Sequence, residues 1–325
     1  MTVNTTDTPP MPRLGIDARA LFRRFGLAAA LLAMAAVFAA LSDVFLTAQN
    51  LRNLLLQAAP LAAVAFGQAF VVLNGDLDLS VGSAVGLCSV VMASVMAAQG
   101  VWPGIAAGLG AGLLLGLANA AAVTWLRVMP FIATLAMMSI AQGAALMLSH
   151  GTPVVGLPAG FADFGFARVL GLPAPFLLAA ALGLGAALFL AFTVPGRDVY
   201  AVGGNAAAAR LAGIPVPAIR VMSFAICGLS AAVAALILTA RVSSGQPTLG
   251  GALALQSVAA VVLGGVSLFG GRGSIAGVAV GVAFVTVLGN GLNLLNVSSY
   301  AQMVAIGLAL IAAVALDRLL ADARG

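Results

Sequence analysis

The stretch Gly196-Arg197-Asp198-Val199-Tyr200-Ala201-Val202-Gly203-Gly204-Asn205 continues through Ala206-Ala207-Ala208-Ala209-Arg210-Leu211-Ala212 to Gly213-Ile214-Pro215 and separates two strongly apolar halves of the chain. Asn205 can cap a helix, the alanines that follow favour one, and Gly213 and Pro215 stop it. The stretch therefore predicts one short amphipathic helix between membrane spans. A polar helix in that position is a good docking surface for a soluble partner.

The composition on either side of this stretch is that of a membrane protein. Of the 325 residues, 62% are hydrophobic and 7% are charged, and the mean hydropathy is +1.16. A polytopic helical membrane protein needs that much apolar surface, whereas a soluble domain does not. The net charge of +5 comes from fourteen arginines and nine aspartates, and indicates arginines near the membrane rather than a nucleic-acid surface. Because the chain has no lysine, it cannot contain a P-loop, so any ATP must be hydrolysed by another chain.

Apolar runs long enough to cross a bilayer recur along the chain. A helical span needs about 20 apolar residues, because each residue adds about 1.5 Å along the axis. We expect an all-α, polytopic transmembrane helix bundle of about ten spans, at about 25–41, 54–73, 81–99, 103–126, 131–149, 174–194, 219–240, 252–270, 274–295 and 301–319. The chain then has an N-terminal tail (1–24), a membrane domain (25–319) and a C-terminal tail (320–325). The first span could instead be a signal-peptide core, but nine further spans favour an uncleaved one.

The distribution of arginine predicts the orientation of these spans. If the N-terminus faces the cytoplasm, eleven of the fourteen arginines fall in inside loops or at the inner ends of spans, and three, Arg52, Arg168 and Arg241, fall outside. Cytoplasmic loops carry an excess of basic residues, so this split supports the orientation and an even number of spans. We expect both termini and residues 196–216 to be cytoplasmic.

One unit of the chain is repeated. The sequence Val71-Val72-Leu73-Asn74-Gly75 matches Val261-Val262-Leu263-Gly264-Gly265, and Gly82-Ser83 matches Gly273-Ser274. Each copy reads as a span, a glycine-rich break and a second span. The repeat predicts a bundle with an internal pseudo-two-fold axis, although glycine- and alanine-rich spans also resemble one another by chance.

The break after the second predicted span, Gly75-Asp76-Leu77-Asp78-Leu79-Ser80-Val81-Gly82-Ser83, holds two acids. Intramembrane carboxylates are expensive, so Asp76 and Asp78 are functional candidates, for example as a proton relay. They can equally shape the loop, since Asp78 and Ser80 stand where the third span begins and can accept its free N–H groups. In the matching break, Arg272 is expected to anchor the inside face, to contact a partner, or to pair with the two acids.

Amide side chains lie within several predicted spans. In a bundle such groups often join helices by hydrogen bonds, but they can also line a path for a hydroxyl-rich solute. The candidates for such a path are Gln68, Asn119, Gln142, Asn290 and Asn293.

Five stretches, in family-like order and spacing, resemble the ribose/xylose-type permeases of ABC sugar importers. They are the 75–83 break, Val128-Met129-Pro130-Phe131-Ile132-Ala133-Thr134-Leu135, residues 196–214, residues 259–274 and Gly289-Asn290-Gly291-Leu292-Asn293-Leu294-Leu295-Asn296-Val297. The resemblance covers about residues 45–317. Two positions depart from the family pattern: Asn205 precedes four alanines where relatives usually carry acids, and Asp76 stands where an apolar or small residue is common.

This resemblance implies the membrane subunit of an importer for a ribose- or xylose-like monosaccharide, or a related polyol, in a bacterial inner membrane. Its implied partners are a cytoplasmic ATP-binding subunit, a periplasmic sugar-binding protein, a second permease copy in a homodimer or heterodimer, and membrane lipid. The ATPase is expected to dock on residues 196–216, through Gly204, Asn205, Arg210, Leu211 and Gly213. No catalytic residue, cofactor or metal ion is expected in this chain, and no nucleic-acid partner.

Three alternatives remain on the sequence alone. The first is a related ABC permease for branched-chain amino acids, against which the Asp-Leu-Ser-Val-Gly-Ser loop argues. The second is a proton-coupled secondary transporter that uses Asp76 and Asp78. The third is a structural or assembly protein of the membrane with no transport role.

Overall fold

A computed structural model describes the backbone of residues 18–322 and the side chains of residues 26–309 and of Ile311. This part of the chain is mostly helical, with one hairpin of two short strands. The elements are α1 (Ala18–Leu41), α2 (Ala48–Leu73), α3 (Val81–Gln99), α4 (Val101–Thr124), α5 (Pro130–Ser149), α6 (Ala159–Phe166), β1 (Arg168–Val169), β2 (Leu172–Pro173), α7 (Ala174–Phe192), α8 (Val194–Gly204), α9 (Ala206–Leu211), α10 (Val216–Val242), α11 (Leu253–Leu263), α12 (Ile275–Leu294) and α13 (Ser299–Asp322).

Seven of these helices are long and apolar enough to cross a membrane: α2, α3, α4, α5, α7, α10 and α12. The other three predicted spans fall on shorter apolar helical segments, which are Gly26–Leu41 in α1, the helix α11, and Ser299–Ala309 in α13. A count of ten spans therefore remains a prediction. Most of the two predicted tails, at 1–17 and 323–325, lies outside the described residues, and helix already begins at Ala18 and continues to Asp322.

Helix α2 lies at the centre of the bundle. Every residue from Ala59 to Leu73 is buried, so this helix is covered on all sides and not on one face only. It packs against α7, α10, α11 and α12, and α10 in turn packs against α3 and α4. The outer helices α5 and α7 leave most of their surface uncovered in the single chain.

The two repeated breaks end their helices in the same way. In each, the glycine (Gly75 or Gly265) has a positive φ, 81° and 80° respectively. Its N–H donates to the carbonyl three residues earlier, and the next N–H donates to the carbonyl five residues earlier. This pair of bonds satisfies the last carbonyls of α2 and α11, and it requires a left-handed residue that glycine adopts without strain.

Beyond this turn the predicted match is wrong. Ser274 caps α12, with its Oγ accepting from the Gly277 N–H at 3.1 Å, whereas its sequence match Ser83 lies inside α3. The residue before α3 is Ser80, so the first break has seven residues, 74–80, and the second has eleven, 264–274. A two-fold relation between the halves remains a prediction.

The connection between α5 and α7, which the predicted spans leave without structure at about 150–173, is partly structured. Helix α6 packs against α10, and β1 pairs with β2 in a hairpin. At the start of the connection, Val154 and Gly245 exchange two backbone hydrogen bonds, each 2.8 Å long. This bridge joins the connection to the chain that follows α10.

Candidate functional site

The first break, residues 74–80, folds back into the bundle and buries Asp78, whose side chain is 2% exposed. The Asp78 Oδ1 accepts from the Ser80 N–H at 2.8 Å and from the Ser80 Oγ at 2.6 Å. The Asp78 Oδ2 accepts from Asn119 Nδ2 of α4 at 3.2 Å, and the same amide donates to Ser80 Oγ at 2.8 Å. The Ser80 side chain makes no capping hydrogen bond to α3, and the one backbone N–H that Asp78 binds at the start of α3 is that of Ser80. The two residues therefore stabilise the conformation of the break more than they cap α3.

Helix α10 packs against the first break from the other side. Cys227 lies beside the Asp78 carboxylate, and its Sγ donates to Gln68 Oε1 of α2 at 3.4 Å. One turn earlier, Ser223 Oγ accepts from Asn74 Nδ2 at 2.6 Å. Of the predicted path residues, Asn119 thus contacts the buried acid directly, and Gln68 is linked to it through Cys227.

Asp76 makes the single ion pair found among the described side chains. Its Oδ2 lies 3.2 Å from Arg220 Nε, and the side chains are 2% and 30% exposed respectively. Arg220, Ser223 and Cys227 are spaced so that they share one face of α10, and all three contact this break. The expected pairing of Arg272 with the acids is therefore wrong, since Arg272 is exposed and Arg220 occupies that role.

The second break meets the first break and α8 through bare backbone. The Gly271 N–H donates to the Leu73 carbonyl at the end of α2, at 2.9 Å. A Cβ built on Gly203 of α8 would overlap that carbonyl oxygen, so only glycine fits there. Tyr200 of α8 adds a bond from its Oη to the Gly273 carbonyl at 3.2 Å. We call this contact of α2, α8 and the second break the glycine junction.

The short helix predicted after Asn205 is confirmed as α9, and a second helix precedes it, while docking of a partner there stays a prediction. Asn205 Oδ1 accepts from the Ala207 and Ala208 N–H groups, both at 3.0 Å, and Gly213 follows the helix with a φ of 85°. Leu211 is 91% exposed. The preceding stretch, for which no helix was predicted, is also helical, as α8.

The missed helix α8 carries a local signal at its start. Thr193 caps it, with its Oγ1 accepting from the Gly196 N–H at 3.0 Å, and Pro195 stands in its first turn. Threonine followed by proline before a polar stretch is such a start signal.

The chain after α10 runs beside α3 without forming a helix. In this segment, residues 243–252, the Pro247 carbonyl occupies the place that a Cβ on Gly86 would take, and a Cβ on Gly82 would lie 2.8 Å from the Gly250 oxygen. The predicted eighth span at 252–270 is therefore wrong in extent, because helix covers only Leu253–Leu263 of it. Non-helical backbone at membrane depth is tolerated where protein buries it or where it lines a water-filled cavity.

Neutral hydrogen-bonding side chains surround this segment. Ser89 Oγ lies 2.7 Å from Thr239 Oγ1 and accepts from the Gln246 N–H at 3.2 Å. Gln246 Nε2 donates to Ser244 Oγ, and Gln142 Nε2 of α5 donates to the Pro247 carbonyl, each at 3.2 Å. We call the side chains of Ser89, Gln142, Thr239, Ser244 and Gln246 the segment cluster.

Of this cluster, only Gln142 was predicted as a path residue. The signal for Ser244 and Gln246 was the run Ser243-Ser244-Gly245-Gln246-Pro247-Thr248, a glycine- and proline-interrupted stretch next to apolar spans, whereas Ser89 and Thr239 lie in apolar helices without such a signal. The remaining predicted residues lie elsewhere. Asn290 exchanges two 3.0 Å amide hydrogen bonds with Asn50, and Asn293 is exposed.

Comparison of the sequence with known proteins assigns the chain to a family. A protein-family model described as a branched-chain amino acid transport system / permease component matches residues 50–314. The chain belongs to this permease family. As a member, the permease is a membrane transport subunit and not an enzyme.

The permease is also similar to individual proteins over most of their length. It is 42% identical over 281 residues to the ribose import permease protein RbsC of Bacillus subtilis (strain 168), covering 86% of this chain and 87% of that protein. It is 41% identical over 296 residues to RbsC of Escherichia coli (strain K12), covering 89% and 91%. With the L-arabinose transport system permease protein AraH of that strain it shares 39% identity over 275 residues, 84% of each chain. No solved structure matches the permease.

Proposed function

We propose that the permease carries a monosaccharide or a related polyol across the membrane as part of an ATP-driven importer. The observation that carries this proposal is the segment cluster. It gathers hydroxyl and amide groups, without a charged side chain, beside a non-helical backbone in an apolar bundle. Neutral donors and acceptors of this kind suit a solute rich in hydroxyl groups.

The names of the relatives support the sugar class. They are permeases named for ribose, D-allose and L-arabinose, at 42%, 35% and 39% identity. The description of the family model names branched-chain amino acids instead. An amino acid carries a carboxylate and an ammonium group, for which the segment cluster offers no charged partner.

Proton coupling through the two acids is less favoured by the geometry. Asp76 faces Arg220 at 3.2 Å, and Asp78 accepts hydrogen bonds from Ser80 and Asn119. Both carboxylates are therefore held by local partners, and neither belongs to the segment cluster.

The rest of the assembly follows from the same proposal. The cytoplasmic ATPase docks on α8 and α9, a periplasmic sugar-binding protein delivers the solute, and a second permease copy, identical or not, covers helices that the single chain leaves exposed. The chain crosses a bacterial inner membrane ten times, with both termini in the cytoplasm. The arginine split and the exposure of Leu211 on α9, 91%, support this arrangement.

The test is uptake by the reconstituted importer with its ATPase and binding protein. We expect ATP-dependent uptake of ribose or another monosaccharide, and none of leucine. Gln246→Ala should reduce uptake severalfold, while the control Gln302→Ala, which removes an amide bonded to the Val297 carbonyl of another region, should leave it near wild type. Leucine uptake, or uptake by the permease alone driven by a pH gradient, would refute the proposal.

A further inference from the structure

A cavity of about 680 Å³ lies where the connection from α4 to α5 meets α9 and the start of α10. Three arginines line it, and each comes from a different element. Arg127 lies in the α4–α5 connection, Arg210 on α9, and Arg220 on α10. No side chain of the segment cluster lines this cavity.

The charge of the cavity is largely unbalanced. Among the side chains that the structure describes, only Arg220 has an acidic partner, Asp76. No described carboxylate lies within ion-pair distance of Arg127 or Arg210. The wall also contains Thr124, whose Oγ1 is buried without a hydrogen-bond partner. An anion with several oxygen acceptors would satisfy all of these groups together.

Exposed apolar side chains stand next to these arginines in the α4–α5 connection: Trp125 and Leu126 lie in the chain between the lining residues Thr124 and Arg127, and Met129 lines the cavity itself. Trp125, Leu126 and Met129 are 67%, 74% and 67% exposed. They follow the end of α4, where a membrane span reaches the interface, and tryptophan is enriched at that depth. A small soluble anion would gain nothing from this apolar rim, whereas the acyl chains of a lipid would pack on it.

We propose that this cavity binds the phosphate group of an anionic phospholipid, with the arginines on the phosphate and the apolar rim on the acyl chains. Basic pockets between membrane helices on the cytoplasmic side are suited to such headgroups. Because Arg210 is on α9, the bound lipid ties the docking helix to the α4–α5 connection and to α10. This inference depends on the membrane location of the chain and not on the identity of the transported solute.

The test measures lipid retained by the purified full-length permease in native mass spectrometry. We expect dioleoylphosphatidylglycerol to be retained in preference to dioleoylphosphatidylcholine. Arg127→Gln should weaken retention of the anionic lipid about fivefold, the effect of one arginine near an anionic headgroup, and Arg127→Lys should retain more than Arg127→Gln. The control is Arg197→Gln, which makes the same charge change at an exposed position of α8 outside the cavity, and it should match wild type.

Several results would overturn the proposal. They are equal retention of the two lipids, equal retention by wild type and Arg127→Gln, and displacement of the lipid by millimolar inorganic phosphate, which would make the ligand a soluble anion. Loss of the Arg127-dependent lipid when the ATPase binds would assign the cavity to that partner. If Arg127→Gln does not elute as a folded protein on gel filtration, Arg210→Gln replaces it with the same expectations, since Arg210 is exposed on the surface helix α9.

Discussion

Replacing Gly203 with alanine puts a methyl group where the Leu73 carbonyl oxygen now lies. The glycine junction must then open, or its hydrogen bond from Gly271 to Leu73, now 2.9 Å, must lengthen. Overpacking of this kind costs about 1–3 kcal/mol, and loss of the hydrogen bond adds about 1 kcal/mol. The higher helix propensity of alanine returns about 1 kcal/mol. We therefore expect a net loss of about 1–3 kcal/mol, concentrated where α8 meets α2.

The neighbouring glycine provides a matched control. A Cβ on Gly204 meets nothing within 4 Å, so Gly204→Ala makes the same chemical change in the same helix without the overlap. The assays are the thermal unfolding midpoint of the purified permease and the solute transported per ATP hydrolysed in proteoliposomes with the ATPase. Gly203→Ala should lower both, because on the proposed docking of the ATPase α8 would pass its motion to the two breaks through this junction. If Gly203→Ala matches Gly204→Ala in both assays, the junction does not transmit that motion.

Three further outcomes are expected. Asp78→Asn should destabilise the purified permease by about 2 kcal/mol, because it replaces charge-assisted hydrogen bonds inside the bundle. The control Asp163→Asn, at an exposed position, should leave the stability unchanged. A changed sugar preference with normal stability of Asp78→Asn would contradict this reasoning. Leu211→Asp should weaken co-purification of the ATPase without affecting membrane insertion, and wild-type co-purification would move the docking site to the second break. A cysteine at Ala207 should react with an impermeant reagent only from inside and one at Gly156 only from outside, and the opposite labelling would invert the predicted orientation.

Features set by neighbouring residues could be predicted from the sequence. Asn205, the alanines after it and Gly213 determine α9 through capping and propensity, which act within one or two turns. The glycine turn after α2 was visible for the same reason, since Gly75 closes hydrogen bonds within five residues of itself.

Features set by packing could not be predicted. Hydropathy reads residues 252–270 as one span, because it reports the environment of the side chains and not the backbone conformation. The segment 243–252 forms turns and not a helix, and its Pro247 and Gly250 carbonyls fit against Gly86 and Gly82 of α3, which are distant in sequence. Asp76 pairs with Arg220 and not with Arg272 because of how α10 approaches the first break, and the positions of the two arginines in the sequence do not reveal this approach.

The bridge between Val154 and Gly245 has a mechanical consequence. Two hydrogen bonds of 2.8 Å fasten the α5–α7 connection to the segment 243–252, so moving one away from the other costs about 1–3 kcal/mol. A motion that supplies less free energy than this moves the two stretches together. On the predicted orientation the α5–α7 connection faces the periplasm, and the segment 243–252 lies within the membrane against the segment cluster. A displacement of the α5–α7 connection is thus transmitted to the segment 243–252 in the bundle interior, and no helix has to unwind.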